Sequence, residues 1–200
     1  PTHYNLGIAL STGGRYADAI VEFEAALAID PGHAQAHNNL GALLHLSRRF
    51  DEAALHYRRA IALNPENAEA NSNLGRLLVG MREYGPAIEA YRRALVLRPD
   101  NPSALSGLAV VLASAPLAGL RSPAEAIALG QRAVDLTGRR DPVSLDALAS
   151  AHASAGDFER ARAAASEAMQ QADAQGMQSL SVDIRERLRL YERSVPSVFP

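Results

Sequence analysis

The chain contains no cysteine among its 200 residues. That excludes a disulfide framework, a thiolate zinc site and a cysteine nucleophile together. It suits cytosol and periplasm equally and leaves the compartment open. Lysine is absent as well, all 20 basic residues being arginine, a bias that fits a GC-rich coding sequence better than a functional device. No apolar run is long enough to cross a bilayer, and no polybasic block offers an electrostatic membrane anchor. The formal net charge is -2, so the basic surface that a general nucleic-acid binder needs is missing. No methionine and no signal-peptide pattern stands at the start, which is Pro1. The expectation is a segment of a longer protein.

What is present is repetition. Hydrophobic residues make up 48% of the chain, enough for a large core. Asn5-Leu6-Gly7, Asn39-Leu40-Gly41 and Asn73-Leu74-Gly75 are one tripeptide recurring every 34 residues. Ile29-Asp30-Pro31, Leu63-Asn64-Pro65 and Leu97-Arg98-Pro99 keep the same register, as do Phe23, Tyr57 and Tyr91, and Tyr16, Phe50 and Tyr84. A 34-residue period with these residues in phase predicts a helix–turn–helix unit. Gly7, Gly41 and Gly75 fall where the first helix of a unit crosses the second, opposite Ala19, Ala53 and Ala87. Ala26, Ala60 and Ala94 fall where the next unit approaches. Small residues at crossings let axes come close, while Leu6, Leu40, Leu74 and the aromatics fill the space beside them. The prolines end the second helices.

The expected organisation is all-α, about five helical hairpins and a capping helix. Units span 1–33, 34–67, 68–101, 102–141 and 142–175. The cap covers 177–193, and 194–200 is an irregular tail. The fourth unit carries an insertion near 115–121, after which Ser122, Pro123 and Glu125 read as a capping box restarting a helix. In the cap, Leu180, Ile184, Leu188 and Tyr191 share one face and give the last repeat its cover. The opposite end has no such cap. Either earlier repeats precede it, or it packs on a partner or a second copy.

These residues resemble the tetratricopeptide-repeat family over nearly the whole chain, most specifically in the first three units. The resemblance implies a right-handed superhelical solenoid whose first helices line a groove for an extended peptide or partner helix. The later part, with Ala133-Val134-Asp135-Leu136-Thr137, is similar to repeat tails of large bacterial proteins, some with membrane glycosyltransferase-like regions. Carried onto this chain, the family's groove positions are Tyr4, Asn5, Ile8 and Ser11, then Asn38, Asn39, Ala42 and His45, then Ser72, Asn73, Arg76 and Val79. The fourth unit offers Ser106, Gly107 and Val110, and the fifth Asp146, Ala147 and Ser150. Asn5, Asn39 and Asn73 resemble the asparagine ladder of the O-linked N-acetylglucosamine transferases. An asparagine amide both donates and accepts, so it can pair with a peptide unit; it can equally bond neighbouring backbone within the array. The carboxylate clamp of the family is not matched, since it needs lysines.

No cofactor, metal or catalytic residue is expected. His33 and His37 have helical chelate spacing without a third ligand, and read as surface histidines. His152 stands where other units have Leu10, Leu44, Leu78 and Leu112, and reads as a hydrogen-bonded, half-buried side chain. Gly13-Gly14 and Gly156 belong to turns needing positive φ. Arg58-Arg59 and Arg92-Arg93 fall on second helices, which form the convex face, where Glu52, Glu66 and Glu89 read as solvated ion-pair partners; alternatively the arginines form a basic stripe for an acidic partner. The leading functional expectation is a scaffold for a protein or peptide partner. Self-association through the uncapped end, and an accessory region recruiting substrate to a larger enzyme such as a glycosyltransferase, stand as alternatives.

Overall fold

The computed structural model describes residues 2–116 and 118–194, so the expected tail lies outside the described residues apart from Ser194. Among them there are eleven α-helices and no strand: α1 Thr2–Thr12, α2 Tyr16–Ile29, α3 Ala34–Leu46, α4 Phe50–Leu63, α5 Ala68–Gly80, α6 Tyr84–Leu97, α7 Pro102–Ser114, α8 Pro123–Leu136, α9 Pro142–Ser154, α10 Phe158–Ala174 and α11 Gln178–Arg193. Consecutive helices pack as antiparallel pairs in the manner of a tetratricopeptide solenoid. The chain divides into two compact units, residues 1–97 and residues 98–200.

In the first unit the repeat period becomes contact. A Cβ on Gly41 would lie 2.9 Å from the Tyr57 ring, and one on Gly75 would lie 2.9 Å from the Tyr91 ring. Gly7 stands in the same relation to Phe23, at 2.8 Å. Each glycine is therefore the seat of the aromatic ring of its partner helix. Ala19, Ala53 and Ala87 are fully buried beside them. Leu6 departs from expectation. Leu40 and Leu74 are buried, whereas Leu6 is 45% exposed on the outward side of α1.

First helices begin on a side-chain cap kept in phase. The Nδ1 of His33 accepts from the Ala36 N–H, the Oδ1 of Asn67 from that of Ala70, and the Oδ1 of Asn101 from that of Ala104. Each satisfies one donor that the first turn leaves free. Among the described residues, the turn inside four of the five pairs carries one left-handed residue. It is Gly14 at φ 75° and Gly156 at φ 80°, but Arg48 at 61° and Arg82 at 64°.

The second unit is built on Val134, Leu145, Leu148, Ile184 and a row of buried alanines from α10. The insertion forms a 3₁₀ turn at Ala118–Leu120. The Ser122 N–H donates to the Leu112 carbonyl at 2.9 Å and draws the two ends of the insertion together. Pro123 opens α8 as expected, but the Ser122 side chain makes no capping bond, so the capping box is not formed. The helix α11 lies on this core through Ile184 and Tyr191, with Leu180 and Leu188 beside them.

Candidate peptide-binding face

The first helices α1, α3 and α5 of the first unit stand side by side and are tied by amides. The Asn39 Nδ2 reaches the Tyr4 hydroxyl at 3.5 Å, joining α3 to α1. The Asn38 Nδ2 donates to Glu69 Oε1 at 3.1 Å, and the Asn73 Nδ2 donates to Asn38 Oδ1 at 3.2 Å, joining α5 to α3. Of the expected face residues, Asn5, Ile8 and Arg76 are exposed, and Tyr4, Asn39, His45 and Asn73 are half-buried.

Asn38 and Ser72 are corrections. Both are buried, Asn38 to 1% exposure, and neither is open to a ligand. Asn38 is a strut between neighbouring repeats. The buried Ser106 does the same work in the second unit, meeting the Ser144 hydroxyl at 3.0 Å. Asp146, at the matching position of α9, takes two hydrogen bonds from Arg187 of α11, at 3.0 and 2.6 Å. A buried polar group needs such a partner, and the position is a polar seam along the first helices. The signal available in the sequence was the small polar residue repeated at this phase in Asn38, Ser72 and Ser106.

Between α1 and α3 lies a notch of about 170 Å³, with Phe23 in its lining and Ile8, Ser11, Asn39 and Ala42 around it. At the start of α1, Thr2, Tyr4, Asn5, Ile29 and Asp30 line a larger cavity of about 690 Å³. Tyr4 is held there against His33, with ring centroids 4.4 Å apart.

Arg76 gives the face its charge. It makes no ion pair among the described residues; its guanidinium contacts Asn73 Oδ1 at 3.5 Å and lies near the Tyr57 hydroxyl. The buried His45 Nδ1 lacks a hydrogen-bond partner, and the Tyr57 hydroxyl lies toward the Arg76 guanidinium without a close hydrogen bond. Burial holds the His45 imidazole below its usual pKa, and the nearby Arg76 charge adds to this. Burial likewise pushes the Tyr57 phenol up to about 12, with Arg76 opposing. The face therefore presents amide donors and acceptors, a neutral imidazole and one arginine.

The remaining candidates are settled individually. His33 directs its Nδ1 to capping α3, and His37 directs its two ring nitrogens to His56 and the Pro31 carbonyl, so the two do not face each other as a helical chelate. His37 instead meets His56, a residue that spacing along one helix does not point to, since it lies 19 positions away on α4. His152 is buried, and its Nδ1 has no hydrogen-bond partner, contrary to expectation. Glu52 pairs with Arg49 at 2.6 Å rather than with Arg58 or Arg59.

The tetratricopeptide-repeat family model matches residues 4–71 and 72–143. The chain belongs to the tetratricopeptide-repeat family. No curated protein matches it in sequence. Among solved structures it is similar to TTC0263, a thermophilic tetratricopeptide-repeat protein of Thermus thermophilus, with 22% identity, 95% of this chain and 97% of that one covered, and a TM-score of 0.70. It is also similar to YrrB, described as having an unusual peptide-binding site, with 19% identity, coverage of 92% and 90%, and a TM-score of 0.65. The first repeat domain of Spaghetti (RPAP3), solved with the HSP90 peptide SRMEEVD, matches at 24% identity over 55% of this chain and 87% of that one, with a TM-score of 0.54. At these identities the likenesses establish the fold.

Proposed function

We propose that this tetratricopeptide-repeat chain is a non-catalytic scaffold that takes an extended segment of a partner protein along α1, α3 and α5. The observation that carries this reading is the half-open state of Asn39 and Asn73. Each spends its amide nitrogen on one internal hydrogen bond, and those bonds, at 3.5 and 3.2 Å, are long. The Asn39 carbonyl accepts nothing, and that of Asn73 meets only the long contact from Arg76. Asn5, at the same repeat position, is exposed. Three amides one repeat apart match a ligand that offers main-chain donors and acceptors at intervals. The notch beside Ile8 and Ala42 offers room for one apolar side chain. Tyr4, His45 and Arg76 flank the path. YrrB and the Spaghetti domain, on the same fold, are described with a peptide-binding site and a bound peptide, which supports this class of ligand.

The test is selection of a random 12-residue peptide library on the protein, followed by calorimetry of the selected peptides. Affinity should fall at least tenfold, by about 1.4 kcal/mol or more, in the triple variant Asn5→Ala, Asn39→Ala, Asn73→Ala. Unchanged affinity in a folded triple variant removes the ladder, and failure to enrich any peptide removes the face as a peptide site.

A second reading rests on a different surface. Leu6, Tyr16 and Val21 are all exposed on α1 and α2, and Leu6, Leu10 and Val21 line one shallow cavity. Exposed apolar residues grouped in this way mark an association surface, here for a second copy of the chain. Sedimentation equilibrium at two concentrations should show mass rising with concentration in the wild type and not in Leu6→Glu. A monomer throughout rejects this reading.

A further inference from the structure

Two histidines that the peptide-binding reading does not use face each other across α3 and α4. The Nδ1 of His37 lies 2.9 Å from the Nδ1 of His56. The ring centroids are 5.1 Å apart and the planes are tilted by 34°. The Nε2 of His37 lies 3.2 Å from the Pro31 carbonyl oxygen. A carbonyl only accepts, so the His37 proton resides on Nε2 and its Nδ1 carries a lone pair. The His56 Nδ1–H fills that lone pair. A carbonyl on the far nitrogen is also the arrangement that fixes the tautomer of a metal-ligating histidine.

The juxtaposition is built into the helical pair. The corresponding residues 34 positions earlier are His3 and Glu22, and His3 Nδ1 lies 2.7 Å from Glu22 Oε2. The corresponding residues in the third pair are Asn71 and Ala90, which leave a cleft of about 440 Å³ that they line with Leu74 and Leu78. The backbone thus offers two side chains, one from each helix, at a fixed separation. Only the second pair places two neutral nitrogen ligands there.

We infer that His37 and His56 form a binding site for a divalent transition-metal ion of tetragonal preference, copper(II) or nickel(II), which takes the place of the shared proton. At a metal–nitrogen distance of about 2.0–2.1 Å, nitrogens 2.9 Å apart subtend about 90°, the angle between adjacent ligands in a square-planar or octahedral site. A tetrahedral zinc site would need them about 3.3–3.4 Å apart. On binding, His56 moves its proton from Nδ1 to Nε2, so no net proton is lost. Both rings tilt so that the two Nδ1 lone pairs meet at the ion while the Nδ1–Nδ1 separation stays near 2.9 Å. Both side chains are half-buried, and water completes the coordination. The charged and titratable groups around the pair are Arg59 and His33 beside His37, and Glu52 and Arg49 beside His56. Among the described residues no group of three or more histidine or acidic side chains gathers for a metal, so the affinity is that of a two-ligand chelate, weaker than a four-ligand structural site.

The site is independent of the peptide-binding face and is tested separately. Untagged protein is titrated with copper(II) chloride and nickel(II) chloride by calorimetry, alongside His37→Asn, His56→Asn and the neighbouring control His33→Asn, each checked for folding by circular dichroism. The wild type should bind one ion and melt at a higher temperature with it, because the ion links two helices. Each of the first two variants should weaken binding at least about tenfold and lose the thermal shift, while His33→Asn keeps both. Paramagnetic resonance of the copper-loaded wild type should show two coupled imidazole nitrogens, a readout that needs no variant. Absence of one-to-one binding, survival of binding in either His37→Asn or His56→Asn, or coupling to a single nitrogen would overturn the inference.

Discussion

Replacing Gly41 with alanine tests the packing of the helical pairs most directly. The new Cβ would stand 2.9 and 3.0 Å from Tyr57 Cδ1 and Cε1, and 3.3 Å from the Ala53 carbonyl oxygen. Comfortable carbon contacts are about 3.5–4.0 Å, so ring or helix must retreat by roughly 0.5–1 Å. Tyr57 is fully buried and has no room to do so. Overpacking of this kind costs about 1–3 kcal/mol. Alanine returns about 1 kcal/mol through its better helix propensity, leaving a net loss of about 1 kcal/mol. Gly80, the last residue of α5, has nothing within 4 Å of its would-be Cβ. There the same exchange should stabilise by about 0.5 kcal/mol. Urea denaturation followed by far-ultraviolet circular dichroism should therefore separate Gly41→Ala from Gly80→Ala by about 1.5 kcal/mol, the net loss at one site plus the gain at the other. Equal midpoints for the two variants would refute the seating of the aromatic ring on the glycine.

Three further outcomes follow from other parts of the molecule. Arg187→Ala should destabilise the second unit by about 2–3 kcal/mol, the low end for breaking a buried pair because Arg187 is partly exposed. Burial already raises the Asp146 pKa above 3.8, with Arg187 opposing. The folded state thus holds that proton more tightly than the unfolded state, and stability falls as pH rises from about 3.8. The variant should show a steeper fall, read by thermal melts at pH 4 and 7, and a flat difference would reject this account. His152 is the opposite case, its pKa lowered by burial with Asp157 opposing. Its share of stability is complete above the unfolded value near 6.5 and fades below it. His152→Leu should be more stable by about 1 kcal/mol and flatten the melting profile between pH 7 and 5. Arg48→Gly and Arg82→Gly should each gain about 0.5 kcal/mol, since a left-handed residue other than glycine costs about 1–2 kcal/mol and glycine gives part of that back as chain entropy.

The helical hairpins, their crossings and the turn glycines were legible because they depend on a short-range period and on steric size. A residue that must be small every 34 positions announces a close approach. The face was legible only in part, since Asn38 and Asn39 are adjacent amides. Which of them faces the neighbouring repeat and which faces solvent depends on a rotation of α3 set by contacts with α4 and α5. The His37–His56 pairing was hidden for a similar reason, as its 19-residue offset belongs to the geometry of a hairpin and to no single helix. Ser122 shows the reverse error. Its surroundings satisfy the sequence pattern of a capping box, but the side chain does not take up the bond.

The closed neck of the α7–α8 connection makes the fourth hairpin a practical place to add sequence. Because the Ser122 N–H is pinned to the Leu112 carbonyl, length added between them is a loop on a finished stem. Lengthening such a loop is entropically mild, about 0.6 kcal/mol for each doubling. A fluorophore or affinity epitope grafted beside Gly119, whose would-be Cβ meets nothing within 4 Å, would therefore ride on the second unit without disturbing its core.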